Sequence, residues 1–286
     1  MRPAPPVERV RRRLIAQGLP EAAAAVPVRY ERLGQVLLLR LPEWVRPWFA
    51  AIGQVYLEEL GVDGVLRHAG PVAGELRQPP FERIAGDASE TELREHGVIY
   101  RFDAARLLFS RGNKTERARI GRLVGPGETV VDLFAGIGYF TLPAARAHPE
   151  VRVIAVEINP LAHLYLEENL RLNRVEAQVT AHLGDNREIP LPLGAADRVL
   201  LGYLPTSLPW IPRALALLRS RGGYLHVHLV EEVRAPQVHS ASVVADAVSR
   251  AGGSLERSEV RRVKPYGPGN EHRVVDAFVR PGTTRR

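Results

Sequence analysis

Polar side chains end three apolar runs of the sequence, and together they could bind a nucleoside. Asp132 ends "TVVD", Glu157 ends "VRVIAVE", and Asp185 with Asn186 follows "AQVTAHLG". Carboxylate and amide oxygens accept hydrogen bonds from ribose hydroxyls and from the adenine amino group. In the turn "AGIGY", Gly136 and Gly138 have no side chain that would keep a ligand from the backbone.

Each of these positions also has a purely structural interpretation. The two glycines can form an ordinary tight turn, and Tyr139 and Phe140 stand where a diphosphate would need room. Glu157 can be the acid that precedes a helix, and the pair Asp185 and Asn186 is typical of an Asx turn. Three polar groups at successive strand ends nevertheless meet at one crevice in an open α/β sheet. An adenosine-bearing ligand without a diphosphate, S-adenosylmethionine, fits this pattern best.

The elements that must position these residues alternate regularly from residue 129 onward. We predict strands at 129–133, 151–157, 177–183, 197–203 and 222–230, and helices at 138–148, 160–173, 207–219 and 237–252. The segment "LERSEVRRVKPYGPGNEHRVVDAFVR" predicts a closing hairpin of two long antiparallel strands. The pattern therefore indicates an α/β protein with a doubly wound sheet of the class I methyltransferase type.

The composition changes near residue 86, which predicts two domains. Residues 1–85 predict a small α+β domain with helices at 6–18 and 47–61 and a strand at 34–41, and we expect it to bind RNA. Residues 86–286 form the predicted cofactor-binding catalytic domain. Near its start, "TELREHGVIYRFD" predicts two strands joined by a tight turn at His96 and Gly97.

Composition and charge exclude some classes of protein and leave others open. The absence of cysteine excludes disulfides and cysteine-ligated metals. No apolar run reaches the ~18 residues of a membrane span, and the N-terminus lacks the apolar core of a secretion signal, so we expect a cytoplasmic protein without membrane contact. The net charge is +7, and lysine supplies only two of the 39 basic residues. This arginine bias is compatible with a GC-rich genome and equally with a phosphate-binding surface.

Several motifs resemble one known family. They are "LFSRGNKTERARI", "VVDLFAGIGYFTLPAA", "EINPLAHLYLEENLRLN", "GDNRE", "GYLPTS" and "VKPYGPGNEHRVVD". Over residues 85–281 the chain resembles the tRNA wybutosine-synthesising aminocarboxypropyltransferases, the sister family of the tRNA guanine-37 N1-methyltransferases. The central glycine motif is shared by both families. The motifs "FSRGN", "GYLPTS" and "VKPYGPGNEHRVVD" resemble the aminocarboxypropyl branch.

The resemblance implies functional residues. Ser110 takes the place of the family's serine in "FSRGN", and Arg117 stands where the family has a lysine. Both would hold the amino-acid end of S-adenosylmethionine, with Arg117 gripping its carboxylate through two bonds. Glu157 would bind the ribose, and Asp185 with Asn186 the adenine.

Other candidate residues would meet the acceptor base. These are Asn113, Tyr203 and Pro205; Tyr203 could stack on a base or pack under its own loop. Asn113 and Glu116 have the spacing of a capping box, which predicts a helix start there. No catalytic base is assigned: Asp132, His226 and His228 are candidates, and we expect the two histidines to be buried and hydrogen-bonded. We expect no metal, because a third ligand of suitable spacing is not evident.

The resemblance implies transfer of a 3-amino-3-carboxypropyl group from S-adenosylmethionine to a tricyclic purine at tRNA position 37, by a protein expected to be monomeric. Two alternatives stay open at this point. One is methylation of guanine N1 at the same position, and the other is a tRNA- or nucleotide-binding module without catalysis.

Overall fold

The computed structural model describes residues 4–25, 29–70, 74 and 79–282, and the chain divides into two compact units. The first comprises Met1–Arg94 and Ile99–Phe109, and the second comprises Glu95–Val98 and Ser110–Arg286. No helix in the part of the chain that the structure describes is long and apolar enough to cross a membrane.

The first unit combines helices with a four-stranded sheet, as the predicted α+β class requires. Its helices and strands are α1 (Pro6–Ala16), α2 (Glu21–Ala24), β1 (Tyr30–Leu33), β2 (Val36–Leu39), α3 (Phe49–Leu60), β3 (Gly64–His68), β4 (Phe81–Gly86), β5 (Glu90–Glu95) and β6 (Val98–Asp103). The sheet order is β1-β2-β3-β4, with only β2 and β3 parallel. Helix α3 ends where Gly61 adopts a left-handed conformation, as the sequence predicts.

The predicted domain boundary at 85/86 falls inside β4, and the division between the units lies later in the chain. The reason lies in the hairpin of β5 and β6. Tyr100 and Phe102 on β6 pack their rings against Phe109, so most of the hairpin belongs to the first unit. His96 and Gly97 both have positive φ, which confirms the predicted tight turn.

The second unit contains a seven-stranded sheet in the order β12-β13-β11-β10-β7-β8-β9. Its elements are α4 (Lys114–Leu123), β7 (Thr129–Asp132), α5 (Thr141–Ala145), β8 (Arg152–Glu157), α6 (Pro160–Asn173), β9 (Val179–Leu183), β10 (Arg198–Leu201), α7 (Ile211–Leu217), β11 (Gly223–Glu232), α8 (Gln237–Arg250), β12 (Ser254–Gly267) and β13 (Asn270–Arg280). Strand β13 is antiparallel to both its neighbours, and the remaining strand pairs are parallel. The predicted doubly wound sheet with a closing hairpin is confirmed.

Two predicted helices differ from the observed ones. The helix predicted at 138–148 is shorter, because Gly136 and Gly138 keep a turn until Phe140 and α5 begins only at Thr141. The helix predicted at 207–219 is a short 3₁₀ turn, Leu208–Trp210, followed by α7. Helix α6 has its predicted bounds: Asn159 caps it by accepting the Leu161 N–H at 3.0 Å.

Alternating residues of β11 point to opposite faces of the sheet. Leu225, Val227 and Leu229 belong to the core under α7 and α8. His226 and His228 lie on the other face, where both are buried. The carboxyl ends of β7, β8 and β9 meet at one edge, and this edge holds the candidate site.

Candidate active site

The glycine turn after β7 has a backbone that only glycine adopts readily. Gly136 has φ 56° and Gly138 has φ 97°. A Cβ on Gly136 would lie 2.4 Å from the Tyr139 ring, and one on Gly138 would lie 2.8 Å from Leu142 Cγ. The turn itself therefore requires both glycines, and the space beside them is filled by Tyr139 and Leu142.

The buried Asp132 side chain stabilises this turn by hydrogen bonds to residues on both sides of it. Its carboxylate is fully buried and accepts the Phe134 N–H at 3.2 Å and the Thr141 hydroxyl at 2.8 Å. Burial raises the pKa of Asp132 to about 6. The side chain thus joins the end of β7 to the start of α5, and Thr141 is a partner that the sequence pattern did not single out.

Glu157 connects the glycine turn with the start of α6. Its Oε2 accepts the Gly136 N–H at 2.7 Å, and its Oε1 accepts the Asn159 N–H at 2.8 Å. Burial raises the pKa of the Glu157 carboxyl above its usual range. A carboxylate has about four lone-pair positions, so two backbone bonds leave acceptor capacity at this partly exposed side chain. The geometry serves the helix start and is also compatible with binding a pair of hydroxyls.

Asn186 ties the loop after β9 to the end of β7. Its Nδ2 donates to the Leu133 carbonyl at 2.6 Å. The side chain is 7% exposed, and its Oδ1 is buried without a hydrogen-bond partner among the residues that the structure describes. An unsatisfied buried acceptor costs about 1–3 kcal/mol, so a ligand that donates a hydrogen bond there would be stabilised.

Asp185 adopts the Asx turn that was one interpretation of its position. Its Oδ1 accepts the Arg187 N–H at 2.8 Å, and the Arg187 guanidinium also pairs with the carboxylate at 2.5 Å. The hydrogen bonds of that guanidinium hold the pKa of Asp185 below its usual range. Asp185 therefore stays ionised at the edge where Asn186 and Glu157 also end their strands.

An aromatic cluster lies after β7 and β10. The Tyr203 ring packs 5.3 Å from the ring of Phe134 and 5.2 Å from that of Trp210, and those two rings meet edge-on at 5.0 Å. Tyr203 thus packs within its own loop, one of the two interpretations of the sequence, while part of its surface stays exposed.

The loop that carries Tyr203 and Pro205 is stabilised by hydrogen bonds of a buried serine hydroxyl. The buried Ser207 hydroxyl donates to the Leu201 carbonyl at 2.6 Å and lies 2.8 Å from the Tyr203 carbonyl. Pro205 is exposed, and its carbonyl accepts the Val230 N–H at 2.8 Å. The loop thereby presents Pro205 to solvent from a fixed backbone.

The surroundings of Arg117 differ from the expectation that its guanidinium fork is available to a carboxylate of the cofactor. Arg117 is 2% exposed, and its Nε and Nη2 donate to Glu95 Oε2 at 2.9 and 2.6 Å. Its Nη1 donates to the Ser110 carbonyl at 3.0 Å. The fork is used inside the protein because a buried guanidinium requires a buried carboxylate beside it. Arg117 therefore holds the backbone of Ser110 in place.

The helix predicted to start near Asn113 does so, since α4 begins at Lys114, but the capping box is absent. Asn113 makes no capping hydrogen bond, and its Oδ1 is buried without a partner among the described residues. Glu116 pairs with Arg119 at 2.6 Å instead of turning back to the helix start. Ion pairing of the buried Glu116 replaces the reciprocal cap.

The two histidines of β11 are buried and paired, as predicted. His226 Nδ1 lies 2.5 Å from Asp276, and its Nε2 lies 2.6 Å from an Arg198 nitrogen. His228 Nδ1 lies 2.9 Å from His272 Nε2. Burial lowers the pKa of His226, and it lowers the pKa of His228 to about 3. No cluster of potential metal ligands occurs within residues 4–25, 29–70, 74 and 79–282.

The structure thus brings six of the predicted residues to one edge: Asp132, Gly136, Gly138, Glu157, Asp185 and Asn186. It also reveals a partner of the turn that the sequence analysis missed. Asn169 of α6 is fully buried, and its Nδ2 donates to the Ile137 carbonyl inside the turn at 3.0 Å. A polar residue on the apolar face of a predicted helix was the signal that could have identified it.

The strand order and the single antiparallel strand of the seven-stranded sheet define the class I methyltransferase-type fold. Within that class, residues 91–247 match the TRM5/TYW2 methyltransferase domain, and residues 11–89 match the TYW2 N-terminal domain. The chain belongs to the TRM5/TYW2 family.

Similar proteins cover nearly the whole chain. The tRNA(Phe) (4-demethylwyosine(37)-C(7)) aminocarboxypropyltransferase of Pyrococcus horikoshii is 36% identical over 269 residues, which are 94% of this chain and 95% of that protein. The crystal structure of P. horikoshii TYW2 in complex with MeSAdo has a TM-score of 0.84 at 34% identity and covers 96% of this chain and 98% of that one. The crystal structure of M. jannaschii TYW2 in complex with AdoMet has a TM-score of 0.72 at 29% identity and covers 88% of this chain and 100% of that one.

Proposed function

We propose that this protein is an S-adenosylmethionine-dependent transferase that attaches a 3-amino-3-carboxypropyl group to a wyosine-type purine at position 37 of tRNA. The observation that carries the proposal is the end-to-end similarity to the P. horikoshii aminocarboxypropyltransferase, which covers more than nine-tenths of both chains. The match of residues 11–89 to the TYW2 N-terminal domain supports the same activity over guanine methylation.

The residues at the edge of the sheet fit S-adenosylmethionine. The turn at Gly136 and Gly138 has the positive φ values that glycine permits, and we assign the adenosine to the strand-end edge beside it. We assign the ribose hydroxyls to Glu157, whose carboxylate keeps acceptor capacity beyond its two backbone bonds. We assign the adenine to Asp185 and Asn186, because the buried Asn186 Oδ1 is an acceptor that an amino group would satisfy. Asp132 supports this site through the turn.

The remaining predicted residues are assigned to the two reacting ends. Ser110 and Arg117 would position the amino-acid end of the cofactor, with Arg117 acting through the Ser110 backbone. Tyr203, Pro205 and Asn113 would face the acceptor base. Tyr203 offers a partly exposed ring, Pro205 an exposed rigid surface, and Asn113 a buried amide oxygen without a described partner.

When bound, the cofactor supplies an electrophilic carbon beside its sulfonium sulfur. A carbon–carbon bond to the purine would form as the carbon–sulfur bond breaks, and the sulfur would keep the electron pair of the broken bond. The chain's own contribution is alignment of that carbon with the acceptor. The acceptor carbon must also lose a proton. Asp132, His226 and His228 are all hydrogen-bonded within the protein, and none of them is assigned as the base.

The binding of tRNA by the first unit is part of the proposal, as are a cytoplasmic location and a monomeric state. The excess of basic residues, 39 against 32 acidic ones, favours a phosphate-bearing partner.

The test uses two preparations of labelled S-adenosylmethionine, one labelled in the methyl group and one in the carboxyl carbon. Each is incubated with the purified protein and with host tRNA that carries either guanosine or the unsubstituted tricyclic purine at position 37, and the tRNA is digested to nucleosides. We expect label in a tricyclic purine only from the carboxyl-labelled cofactor. Label from the methyl group in a guanosine would show the methyltransferase activity of the alternative, and no label from either would show a binding module.

A further inference from the structure

A cavity of about 410 Å³ opens in the second unit, at the edge of the seven-stranded sheet opposite to the candidate active site. It lies where β10 and β11 begin, beside the adjoining ends of β12 and β13. Charged and aromatic side chains line it, among them Glu128, Arg198, Tyr224, Arg257, Glu259 and Phe278. Cavities of roughly 300–1,000 Å³ hold small-molecule ligands, so this one has room for a ligand of nucleotide size.

The floor of this cavity consists of charges that are already paired. Arg198 donates to both carboxylate oxygens of Glu128, at 2.8 and 3.0 Å, and its Nη1 lies 2.6 Å from His226 Nε2. Because a guanidinium can only donate, this ring nitrogen accepts, and the histidine proton is on Nδ1, which lies 2.5 Å from Asp276. The positive charge of the floor is therefore neutralised, whereas the Glu128 carboxylate keeps acceptor positions beyond its two bonds.

Arg257, at the mouth of the cavity, is held in position by aromatic side chains. Its guanidinium carbon lies 4.7 Å from the centre of the Phe278 ring and 5.6 Å from that of the Tyr224 ring. Its Nη2 donates to the Tyr224 hydroxyl at 2.5 Å. The Tyr224 ring is fixed in turn by the Arg198 guanidinium, which lies 4.7 Å from its centre. An exposed arginine is thus oriented by contacts that do not neutralise its charge.

The acidic residues next to Arg257 in the sequence pair with other arginines. Glu256 pairs with Arg280 at 2.5 Å, and Glu259 pairs with Arg261 at 2.5 Å. Among the residues that the structure describes, Arg257 has no carboxylate partner. Its remaining N–H groups can therefore bind two phosphate oxygens in the fork geometry of a guanidinium.

We propose that this cavity is a second nucleotide site, in which Arg257 binds the phosphate and the base lies in the cavity beside Glu128. The carboxylate of Glu128 would accept ring N–H groups of the base. A bare phosphate would use only the mouth and leave the cavity behind it unfilled. The inference goes beyond the proposed function, because the site lies at the other edge of the sheet from the residues assigned to S-adenosylmethionine. A free mononucleotide and one residue of an RNA chain share this chemistry, and the experiment distinguishes them.

The experiment measures the binding of guanosine 5′-monophosphate to the full chain by isothermal titration calorimetry. S-adenosylhomocysteine is present at saturating concentration, so that the probe does not occupy the cofactor site. We expect one molecule of the probe to bind per protein. Arg257→Met removes the charge and should weaken this binding at least about 10-fold, the loss typical of one charge-assisted hydrogen bond. Arg262→Met, at another exposed arginine of β12, is the matched control and should leave the affinity unchanged.

A second probe, ribose 5-phosphate, tests whether the base contributes. It has the phosphate but no base, and we expect it to bind the wild type at least about 10-fold more weakly than guanosine 5′-monophosphate. Equal affinities for the two probes would show an anion site without a base and would overturn the inference. No saturable binding of guanosine 5′-monophosphate, or the same affinity in Arg257→Met as in the wild type, would overturn it as well. An unchanged affinity for S-adenosylhomocysteine shows that each variant is folded.

Host tRNA distinguishes the two sources of the nucleotide. If an RNA chain supplies it, tRNA should displace guanosine 5′-monophosphate, and Arg257→Met should bind tRNA more weakly than Arg262→Met does. If the site takes a free mononucleotide, tRNA should not displace the probe, and the two variants should bind tRNA equally. Either result supports the site and identifies its occupant.

Discussion

Replacing Glu157 with glutamine is the perturbation whose consequences follow most directly from the site geometry. The wild-type carboxylate accepts two backbone N–H groups, from Gly136 at 2.7 Å and from Asn159 at 2.8 Å. Glutamine has one acceptor oxygen, so one of these N–H groups loses its partner and faces an amide NH₂. Losing one hydrogen bond to a charged group costs about 1.5–3 kcal/mol in general. We expect Glu157→Gln to lower the free energy of unfolding by about 1–2 kcal/mol, because this side chain is partly exposed.

The same substitution should affect ligand binding more than stability. The remaining oxygen of glutamine is used by the backbone, so the ribose hydroxyls lose their charged acceptor. We expect S-adenosylhomocysteine to bind about 1–3 kcal/mol more weakly, which is about 5- to 150-fold in Kd. Isothermal titration calorimetry on the folded variant measures this. Glu167→Gln, an exposed position of α6, is the control. A folded Glu157→Gln variant with wild-type affinity would refute the assignment of the ribose to Glu157.

Three further predictions concern Asp132, Arg117 and the RNA. The pKa of Asp132 is about 6 in the folded protein against 3.8 when exposed, so its contribution to stability is fully present below about pH 4 and is lost as the pH rises to about 6. In urea denaturation, the free energy of unfolding of the wild type should fall by about 2–3 kcal/mol between pH 4 and pH 7, and that of Asp132→Asn should not. Equal pH profiles for the two proteins would contradict this role of Asp132. Arg117→Ala leaves Glu95 as an unpaired buried charge, and urea denaturation should show a free energy of unfolding about 3–5 kcal/mol lower. The double variant Arg117→Ala with Glu95→Ala should regain part of that loss. An Arg117→Ala variant as stable as the wild type would contradict this prediction. Binding of tRNA, measured by filter retention, should weaken steeply with salt, and a flat response would argue against phosphate contacts.

The fold could be predicted from the sequence because its signals are local and repeated. Helix α6 is bounded by an Asn-Pro start and was predicted with its observed limits. The hairpin turn follows from Gly97, which takes positive φ without steric cost, although His96 beside it also has positive φ. The order of the sheet follows from the alternation of strands and helices and from the handedness of their connections.

The contacts inside the site were harder to predict, because they join residues far apart in the sequence. The ion pair of Arg117 with Glu95 bridges 22 residues, and the contact of Ser110 with Lys264 bridges 154. The capping-box spacing at Asn113 and Glu116 predicts the correct helix start, but the reciprocal capping hydrogen bonds do not form. Glu116 forms an ion pair with Arg119 instead. Local patterns identify which residues are polar and near a strand end, but they do not identify which charge pairs with which.

The identity of the sulfur product shows which group of S-adenosylmethionine the protein transfers. The purified protein is incubated with S-adenosylmethionine and host tRNA, and the small molecules are separated by chromatography. We expect methylthioadenosine in an amount equal to the modified tRNA, because the carbon of the aminocarboxypropyl group is the one transferred. Release of S-adenosylhomocysteine alone would contradict it and would show that the methyl group is transferred instead.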